Sequence, residues 1–435
     1  MRSNGVQSFE NIRLSGLRET TELCFNCVNI WRNLAMKLLF VFYIVLTSVI
    51  ISSCSQSKPR PESDSARMSS IKEVNFEVEA VEEVEEVEEV EEAKKAMASM
   101  KKQGKQNYKV KSVFYATDRN NTESSDVKTR FGGERGNSIT YGITEVSIPK
   151  RHKVGELESP KWWKLEFREN PEKHIVLLEI TTLDTLSYFK AISQKVNNSE
   201  KKSAFIFVHG YNVTFEDAAR RTAQMTEDLD FKGAPVFYSW PSAGDIEAYA
   251  TDGDNIKWTQ SHIEKFLKDF TEKSEAEHIY LIAHSMGNRA VTRAYISLVS
   301  KIPELAKRFT EIVLAAPDID AEIFKRDIAP AMVKAGAPVT LYASSKDLAL
   351  QGSKLVHADY PRAGDSTDGI IVLSGIESID ASNVTTGFLG HSYFSDTRTV
   401  ISDINLLFKT GLRAKDRILM QQLSNPEGIY WKIKK

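Results

Sequence analysis

The sequence has little cysteine, and none of it lies in the main body of the chain. Among the 435 residues the cysteines are Cys24, Cys27 and Cys54, so the chain beyond Cys54 has no disulfide, thiol nucleophile or cysteine-ligated metal site. Cys24 and Cys27 form a lone C-x-x-C pair, which is weak evidence for a metal site without a second pair. The chemistry of the main body must therefore use oxygen and nitrogen groups.

An excess of charge of one sign is also absent. The 57 lysines and arginines nearly balance the 59 aspartates and glutamates, and the formal net charge is −2. The lack of a basic excess argues against a nucleic-acid partner. The lack of a global acidic excess argues against a disordered, solvating chain.

Acidic residues are instead concentrated in one low-complexity segment. Residues 78–93 read "VEAVEEVEEVEEVEEA", with a valine at every third position. A helix turns about 100° per residue, so a period of three drifts around the helix and forms no straight apolar stripe. We interpret the segment as a solvated stalk rather than a coiled coil, with the binding of a partner as the alternative.

One apolar stretch near the N-terminus, residues 38–51, has the length of a signal-peptide core. It is shorter than the roughly 20 residues that a membrane-spanning helix needs. The surrounding segment "MKLLFVFYIVLTSVIISSC" ends in a sequence that resembles a bacterial lipoprotein cleavage box, in which the cysteine, here Cys54, becomes the lipid-modified first residue. An uncleaved anchor helix is the alternative. Ser55 after the cysteine favours the outer membrane, so we expect a lipid-anchored protein of the bacterial cell envelope.

These features divide the chain into four segments. A secretory signal normally begins at the N-terminus, so we interpret residues 1–35 as the product of a mis-set start and Met36 as the true start. Residues 36–54 are the predicted signal peptide, and residues 55–107 are a flexible polar linker with the acidic stalk. Residues 108–435 are the predicted globular domain, in which we expect the function to reside.

Within this domain, short apolar strands alternate with amphipathic helices. The predicted strands are residues 111–118, 139–149, 174–183, 203–210, 234–241, 278–283, 309–320 and 338–347, and the predicted helices are residues 184–196, 214–231, 255–274, 288–302, 321–336 and 395–411. This alternation predicts a mainly parallel sheet with helices on both faces. Ligands of such sheets bind at the carboxyl ends of the strands.

The strand predicted at residues 278–283 leads into "AHSMG", in which Ser285 lies between small or polar neighbours. In the nucleophile elbow G-x-S-x-G, a serine stands on a sharp turn from a strand to a helix, where only small neighbours fit. Here Ala283 replaces the first glycine and Gly287 keeps the second. Ser285 is therefore the candidate nucleophile, and the Met286 N–H is a candidate oxyanion donor. The alternative is that Ser285 caps the following helix.

An earlier strand end, "VHGYN", lies where a second oxyanion donor is expected. Gly210 permits a tight turn, so the Tyr211 N–H can point at a reacting oxygen. His209 is expected to shape the site or to form hydrogen bonds within it. After the next strand, Trp240 and Tyr249 are candidate walls of a substrate pocket, and a role in the core explains Trp240 equally well.

A nucleophilic serine needs a base, and behind such an elbow the order along the chain is Ser, then Asp or Glu, then His. Two of the eight histidines, His357 and His391, lie beyond the elbow. His391 stands in "TGFLGHSYF", a glycine-containing loop before the final predicted helix, where the base is expected. We favour His391 over His357, which is explained as a surface histidine.

The acid that orients the histidine has two candidate positions. Asp347 in "LYASSKDLAL" follows a predicted strand, and Asp318 and Asp320 in "LAAPDID" end the preceding strand. Either position allows a carboxylate to accept the imidazole N–H and to stabilise the imidazolium. We favour Asp347 because of its place in the chain, and the other acid would then cap a helix.

Five segments of the domain carry a family resemblance: "VFYATDR", "YGITEVSIP", "FVHGYNVTFEDAARRTAQM", "FYSWPSAG" and "IAHSMGNRAV". They resemble a bacterial domain family of unknown function within the alpha/beta-hydrolase superfamily, described as esterase/lipase-like. The resemblance extends from Tyr108 to the C-terminus and implies the alpha/beta-hydrolase fold. It also implies a triad of Ser285, Asp347 and His391, and it implies no particular substrate.

We therefore expect a membrane-anchored serine hydrolase that cleaves small-molecule or lipid esters through an acyl-enzyme, without a metal or organic cofactor. An acyltransferase is one alternative, in which an alcohol replaces water in the second step. A non-catalytic envelope binding protein is another, and His391 argues against it.

Overall fold

A computed structural model of the protein describes residues 107–161, 166–384 and 398–434. The predicted signal peptide, linker and stalk lie outside these residues, and so do Cys54 and His391. Within the described ranges, no helix is long and apolar enough to cross a membrane.

Eleven strands in the described part of the chain form one sheet. They are β1 (Tyr108–Asn121), β2 (Phe131–Pro149), β3 (Val176–Leu183), β4 (Ser203–Val208), β5 (Ala234–Ser239), β6 (His278–His284), β7 (Phe309–Ala315), β8 (Val339–Ala343), β9 (Ile376–Asp380), β10 (Met420–Asn425) and β11 (Gly428–Ile433). All eight predicted strands are present as β1 to β8. The prediction missed β9, β10 and β11, whose short and partly polar sequences lack a continuous apolar run.

The sheet is parallel in its centre and antiparallel at both edges. Its strand order is β10-β11-β9-β8-β7-β6-β4-β5-β1-β2-β3. In this order, every neighbouring pair of strands from β11 to β1 is parallel. The pairs at the two edges, β1–β2, β2–β3 and β10–β11, are antiparallel. Because β4 lies between β5 and β6, the chain changes direction across the sheet at β4. The crevice at the carboxyl ends of β4 and β6 is therefore where a ligand is expected.

The helices of the described residues connect these strands. They are α1 (Thr185–Asn197), α2 (Phe215–Asp228), α3 (Tyr249–Lys273), α4 (Gly287–Lys301), α5 (Ala321–Ile323), α6 (Ala329–Ala335), α7 (Leu348–Val356) and α8 (Arg398–Thr410). The single helix predicted at residues 321–336 is divided by a π-helical turn, Phe324–Ile328, and α7 was not predicted. Thr214 caps α2 in a capping box with Asp217, which satisfies backbone N–H groups at the helix start.

Two apolar cores lie on the two faces of the sheet. All six side chains of β4 are buried, and they alternate between the faces. Ile206 packs in the core that contains Phe266 of α3, whereas Phe207 packs in the core that contains Ala219 of α2. Strands covered on both faces explain the continuous apolar run of β4, and they confirm the predicted sheet with helices on both sides.

The connection between β2 and β3 is held by a partly buried histidine that links two carboxylates. His152 Nδ1 lies 2.9 Å from Glu158 Oε2, and its Nε2 lies 2.8 Å from Asp228 Oδ1 at the end of α2. Burial lowers the pKa of His152, but the hydrogen bonds with Asp228 and Glu158 outweigh it and raise the pKa to about 9.

We expect His152→Gln to destabilise the domain in a pH-dependent way. Because the folded-state pKa exceeds the unfolded value of 6.5, the stabilisation is complete below pH 6.5 and is lost as the pH rises through about 9. The free energy of unfolding should fall by about 1–2 kcal/mol at pH 7 after allowance for solvent screening. Urea denaturation of both proteins at pH 6, 8 and 10 measures this difference, and a constant difference would contradict the assignment.

Candidate active site

Ser285 stands on a sharp turn between β6 and α4. Its φ of 49° lies in the left-handed region, which is costly for any residue other than glycine. The Ser285 N–H donates to Ala315 O of β7 at 3.0 Å, and the Asp318 N–H donates to Ser285 O at 3.1 Å. The residue that precedes α4 is Met286, and no side chain caps this helix, so Ser285 does not act as its cap. A strained serine between a strand and a helix has the backbone of a nucleophile elbow.

Two glycines allow the end of β4 to approach this turn. A Cβ on Gly210 would lie 2.8 Å from the Ser285 Cβ, and a Cβ on Gly287 would collide with the His209 carbonyl oxygen. Val208 pairs with Ala283 in the parallel ladder, so the segment after β4 runs directly beside the elbow. We call residues 209–213 the β4 loop, and it carries the Tyr211 N–H.

Contacts from later segments hold the β4 loop. The Asn212 N–H donates to Asp252 Oδ2 at 3.4 Å, and the Val213 N–H donates to Ser242 Oγ at 3.2 Å. Ser242 Oγ in turn donates to Asp252 Oδ2 at 2.5 Å. Burial raises the pKa of Asp252 more than the hydrogen bonds from Ser242 and Ala243 lower it. A residue at the start of α3 thus organises the backbone beside Ser285.

His209 is buried, and its hydrogen bonds indicate a neutral ring. Nδ1 lies 2.8 Å from Gly210 O and must donate to it, so Nε2 is the acceptor, 3.2 Å from Ser239 Oγ. Burial and the nearby charge of Arg119 lower the pKa of His209 well below its usual value. The ring stacks on Trp240 at 5.1 Å, and the indole N–H donates to His209 O at 2.8 Å.

These contacts correct one prediction. Trp240 is fully buried in the core and lies behind His209, so it supports the β4 loop and does not line an open pocket. Tyr249 is half-buried, and its ring lies 5.1 Å from that of Tyr211 and 5.7 Å from that of His357. Tyr249 therefore remains the candidate pocket residue of the two.

Asp318 lies three residues after the end of β7, and both of its carboxylate oxygens are occupied. Oδ1 accepts from Arg362 Nε at 2.8 Å and from the Ser353 hydroxyl at 2.6 Å. Oδ2 accepts from Arg289 Nη2 at 2.8 Å and from the Tyr249 hydroxyl at 2.7 Å. Burial raises the pKa of Asp318, but Arg289, Arg362 and the two hydroxyls outweigh it, so the pKa lies below its usual value.

Asp347, the favoured acid, lies between β8 and α7. Its Oδ1 accepts from the Ala349 N–H at 3.0 Å and from the Leu350 N–H at 3.1 Å, so it caps α7. Asp320 caps α5 in the same way. The cap of α7 uses Oδ1 of Asp347. His391, the favoured base, lies outside the described residues.

The prediction assigned no role to Arg119, which lies at the end of β1. Its side chain is buried against the β4 loop, with Nη2 2.7 Å from Val213 O. Burial lowers the pKa of Arg119 to about 10, and the charges of Asp118, Asp252 and Asp217 offset only part of this effect. The signal for Arg119 was present in "VFYATDR", which supported the family resemblance without a chemical role.

The roles of Arg289 and Arg362 were also missed. Arg289 stands four residues after Ser285 on α4, and Arg362 lies in the segment after α7. Neither position belongs to a motif that points to Asp318. Among the described residues, no group of three or more histidines and carboxylates could hold a metal ion.

A family model described as an alpha/beta hydrolase of unknown function (DUF900) matches residues 185–409 of this chain. The matched region contains the β4 loop, the elbow at Ser285, both candidate acids and His391. A search of curated proteins found no significant match.

Distant similarities to solved structures accompany this match. Lipase B of Aspergillus fumigatus is 12% identical with a TM-score of 0.26, over 42% of this chain and 45% of the lipase, so the chain spans less than half of that protein. A poly(3-hydroxybutyrate) depolymerase from Bordetella parapertussis is 11% identical with a TM-score of 0.30, over 70% and 91%. Esterase 2 of Thermogutta terrifontis is 9% identical with a TM-score of 0.28, over 70% and 95%. Similarities this distant say nothing about the activity of this chain.

Proposed function

Since this chain belongs to the alpha/beta hydrolase family of unknown function (DUF900), we propose that it is a serine hydrolase that cleaves ester bonds of small molecules or lipids. The observation that carries the proposal is the backbone of Ser285. Its φ of 49° places the serine on a strained turn between β6 and α4, beside the end of β4. Such strain is costly and is characteristic of functional sites.

The proposed reaction has two steps through an acyl-enzyme. Ser285 Oγ attacks the acyl carbonyl while His391 takes its proton, and His391 then gives that proton to the departing alcohol. Water attacks the acyl-enzyme, its proton passes to His391, and the proton returns to Ser285 Oγ as the carboxylic acid leaves. Asp347 accepts the other N–H of His391 and stabilises the imidazolium.

The N–H groups of Tyr211 and Met286 are the proposed oxyanion donors. Met286 begins the turn into α4, where the helix dipole favours negative charge. Tyr211 lies in the β4 loop, which approaches Ser285 because Gly210 has no Cβ. We assign the acid to Asp347 rather than Asp318 because two arginines and two hydroxyls already occupy both oxygens of Asp318.

Labelling by a fluorophosphonate tests the proposal. This reagent phosphonylates an activated serine with loss of fluoride, so we expect it to label the wild-type chain and not Ser285→Ala. Ser300→Ala is the matched control, since Ser300 lies on the same helix, α4, and donates only to Ile296 O of that helix. A folded wild-type chain that takes no label would refute the hydrolase proposal.

We also propose that Cys54 is lipidated and holds the domain at the cell envelope. The motivation is the signal-peptide core and the "ISSC" ending. Cells fed an alkyne-labelled palmitate should incorporate the label into the wild-type chain and not into Cys54→Ala. Ser57→Ala, in the linker just after Cys54, serves as the control and should keep the label. Equal incorporation in wild type and Cys54→Ala would contradict the anchor.

A further inference from the structure

Arg119, at the end of β1, contacts the β4 loop, and the reaction proposed above gives this contact no role. We propose that Arg119 is a positioning residue, whose guanidinium fixes the β4 loop so that the Tyr211 N–H faces the developing oxyanion. The inference rests on the proposed function, and it adds a residue on which the rate depends without contact to the substrate.

The guanidinium uses all five of its N–H groups on neutral acceptors. Nε donates to Ser239 Oγ at 2.8 Å. Nη1 donates to Ser242 O at 2.8 Å and to Gly132 O at 3.0 Å. Nη2 donates to Val213 O at 2.7 Å, and it lies 3.4 Å from His209 Nε2, which is the acceptor nitrogen of that ring. Both partners of Nη2 belong to the β4 loop.

Those two contacts bracket Tyr211. His209 precedes Tyr211 by two residues and Val213 follows it by two, so one rigid planar group holds both ends of the loop. Between them, the Asn212 N–H is held by Asp252. Little space is left for the loop to shift toward the elbow, because even a Cβ on Gly210 would lie 2.8 Å from the Ser285 Cβ. The contacts on both sides of Tyr211 thereby fix the direction of its N–H.

The energetics support a functional reason for an arginine at this position. Its side chain is 2% exposed, and none of its hydrogen bonds goes to a carboxylate. Removing a cation from water without a directly bonded anion costs several kcal/mol. Proteins retain such destabilising arrangements mainly at functional sites, where the precise backbone geometry that they provide increases the rate of the reaction.

The test compares Arg119→Lys with Arg220→Lys. Arg220 of α2 is also buried. Its Nε donates to Ile175 O at 2.7 Å and its Nη2 to Ser159 Oγ at 2.5 Å, both in the β2–β3 connection, and its Nη1 lies 3.5 Å from Asp217 Oδ1. Lysine keeps the positive charge at both positions but lacks the planar guanidinium with its five fixed N–H donors. Both variants should lose thermal stability, and only Arg119→Lys should lose catalysis.

For Arg119→Lys we expect kcat with p-nitrophenyl butyrate to fall about 10²–10³-fold, as for a lost oxyanion donor, and KM to change less than about threefold. The affinity for a trifluoromethyl ketone, whose hemiketal oxygen occupies the oxyanion site, should fall by the same factor as kcat. Arg220→Lys should change neither value. In Arg119→Ala, added guanidinium at millimolar concentration should restore part of kcat, and ethylammonium should not.

Three outcomes would overturn the inference. The first is a kcat of folded Arg119→Lys within about threefold of wild type, and the second is an equal loss of kcat in Arg220→Lys. If Arg119→Lys does not fold, Ser239→Ala removes the acceptor of Nε, and with it the hydroxyl beside His209 Nε2, and should lower kcat about tenfold; an unchanged kcat is the third. A wild-type chain that neither hydrolyses esters nor takes the fluorophosphonate label would refute the proposed function itself, and the inference with it.

Discussion

Asp347→Asn is expected to lower kcat for ester hydrolysis by about 10⁴-fold and to change the free energy of unfolding by less than about 1 kcal/mol. Asparagine caps helices as well as aspartate does, so the hydrogen bonds to Ala349 and Leu350 at the start of α7 are retained. Its neutral amide neither stabilises an imidazolium nor holds the histidine in the productive tautomer. Steady-state kinetics with p-nitrophenyl butyrate and urea denaturation measure the two quantities.

Asp320→Asn is the matched control for this prediction. Asp320 caps α5 with the same pair of backbone hydrogen bonds, from Glu322 and Ile323, and it lies near the other candidate acid. The same substitution there should leave both kcat and stability near the wild-type values. If Asp347→Asn behaves like Asp320→Asn, then Asp347 is only a helix cap and the acid must be sought elsewhere.

Asp318→Asn is expected to lower the free energy of unfolding by about 3–5 kcal/mol. The substitution removes the negative charge that Arg289 and Arg362 share, and it directs an amide N–H₂ toward groups that are themselves donors. The Arg362 side chain is 4% exposed, so water cannot replace the lost partner. The expected loss is large because the Arg362 guanidinium stays buried, and that of Arg289 stays partly buried, without this anion.

The pH dependence of this effect has a definite sign. The pKa of Asp318 is lower in the folded chain than its ordinary value of 3.8, so the carboxylate stabilises the fold above that value. The difference between wild type and Asp318→Asn should be complete at pH 7 and should shrink as the pH falls below about 4. The folded fraction of Asp318→Asn should still take the fluorophosphonate label. A stable but unreactive Asp318→Asn would instead identify Asp318 as the catalytic acid.

The central strands show which elements of the fold the local sequence predicts. β4 and β6 are continuous apolar runs, and burial on both faces of a parallel sheet requires such runs. By contrast, β9, β10 and β11 were missed, since each is short and carries polar residues, and strand formation there depends on neighbours across the sheet. Helix α7 was missed for a related reason: it spans nine residues, of which Leu350 and Ser353 are buried, so it has no long apolar stripe.

In the candidate site, too, the local sequence predicted some features and the packing of distant segments decided others. Small residues around Ser285 and Gly210 predicted two tight turns, because glycine and alanine report local backbone crowding. Trp240 could be read as a pocket wall or as a core residue, since an aromatic at the end of a strand suits both. Its place behind His209 was decided by the packing of two strands that are separated by α2.

By itself, the sequence determined the mainly parallel sheet with helices on both faces and the turn from strand to helix at Ser285, because apolar spacing and small residues are properties of neighbouring positions. The tertiary structure alone decided the surroundings of Arg119 and Asp318. The acceptors of Arg119 come from β2, the β4 loop and the end of β5, and the donors of Asp318 come from α3, α4, α7 and the segment after α7. Which buried charge meets which partner depends on segments far apart in the chain, and no local pattern records it.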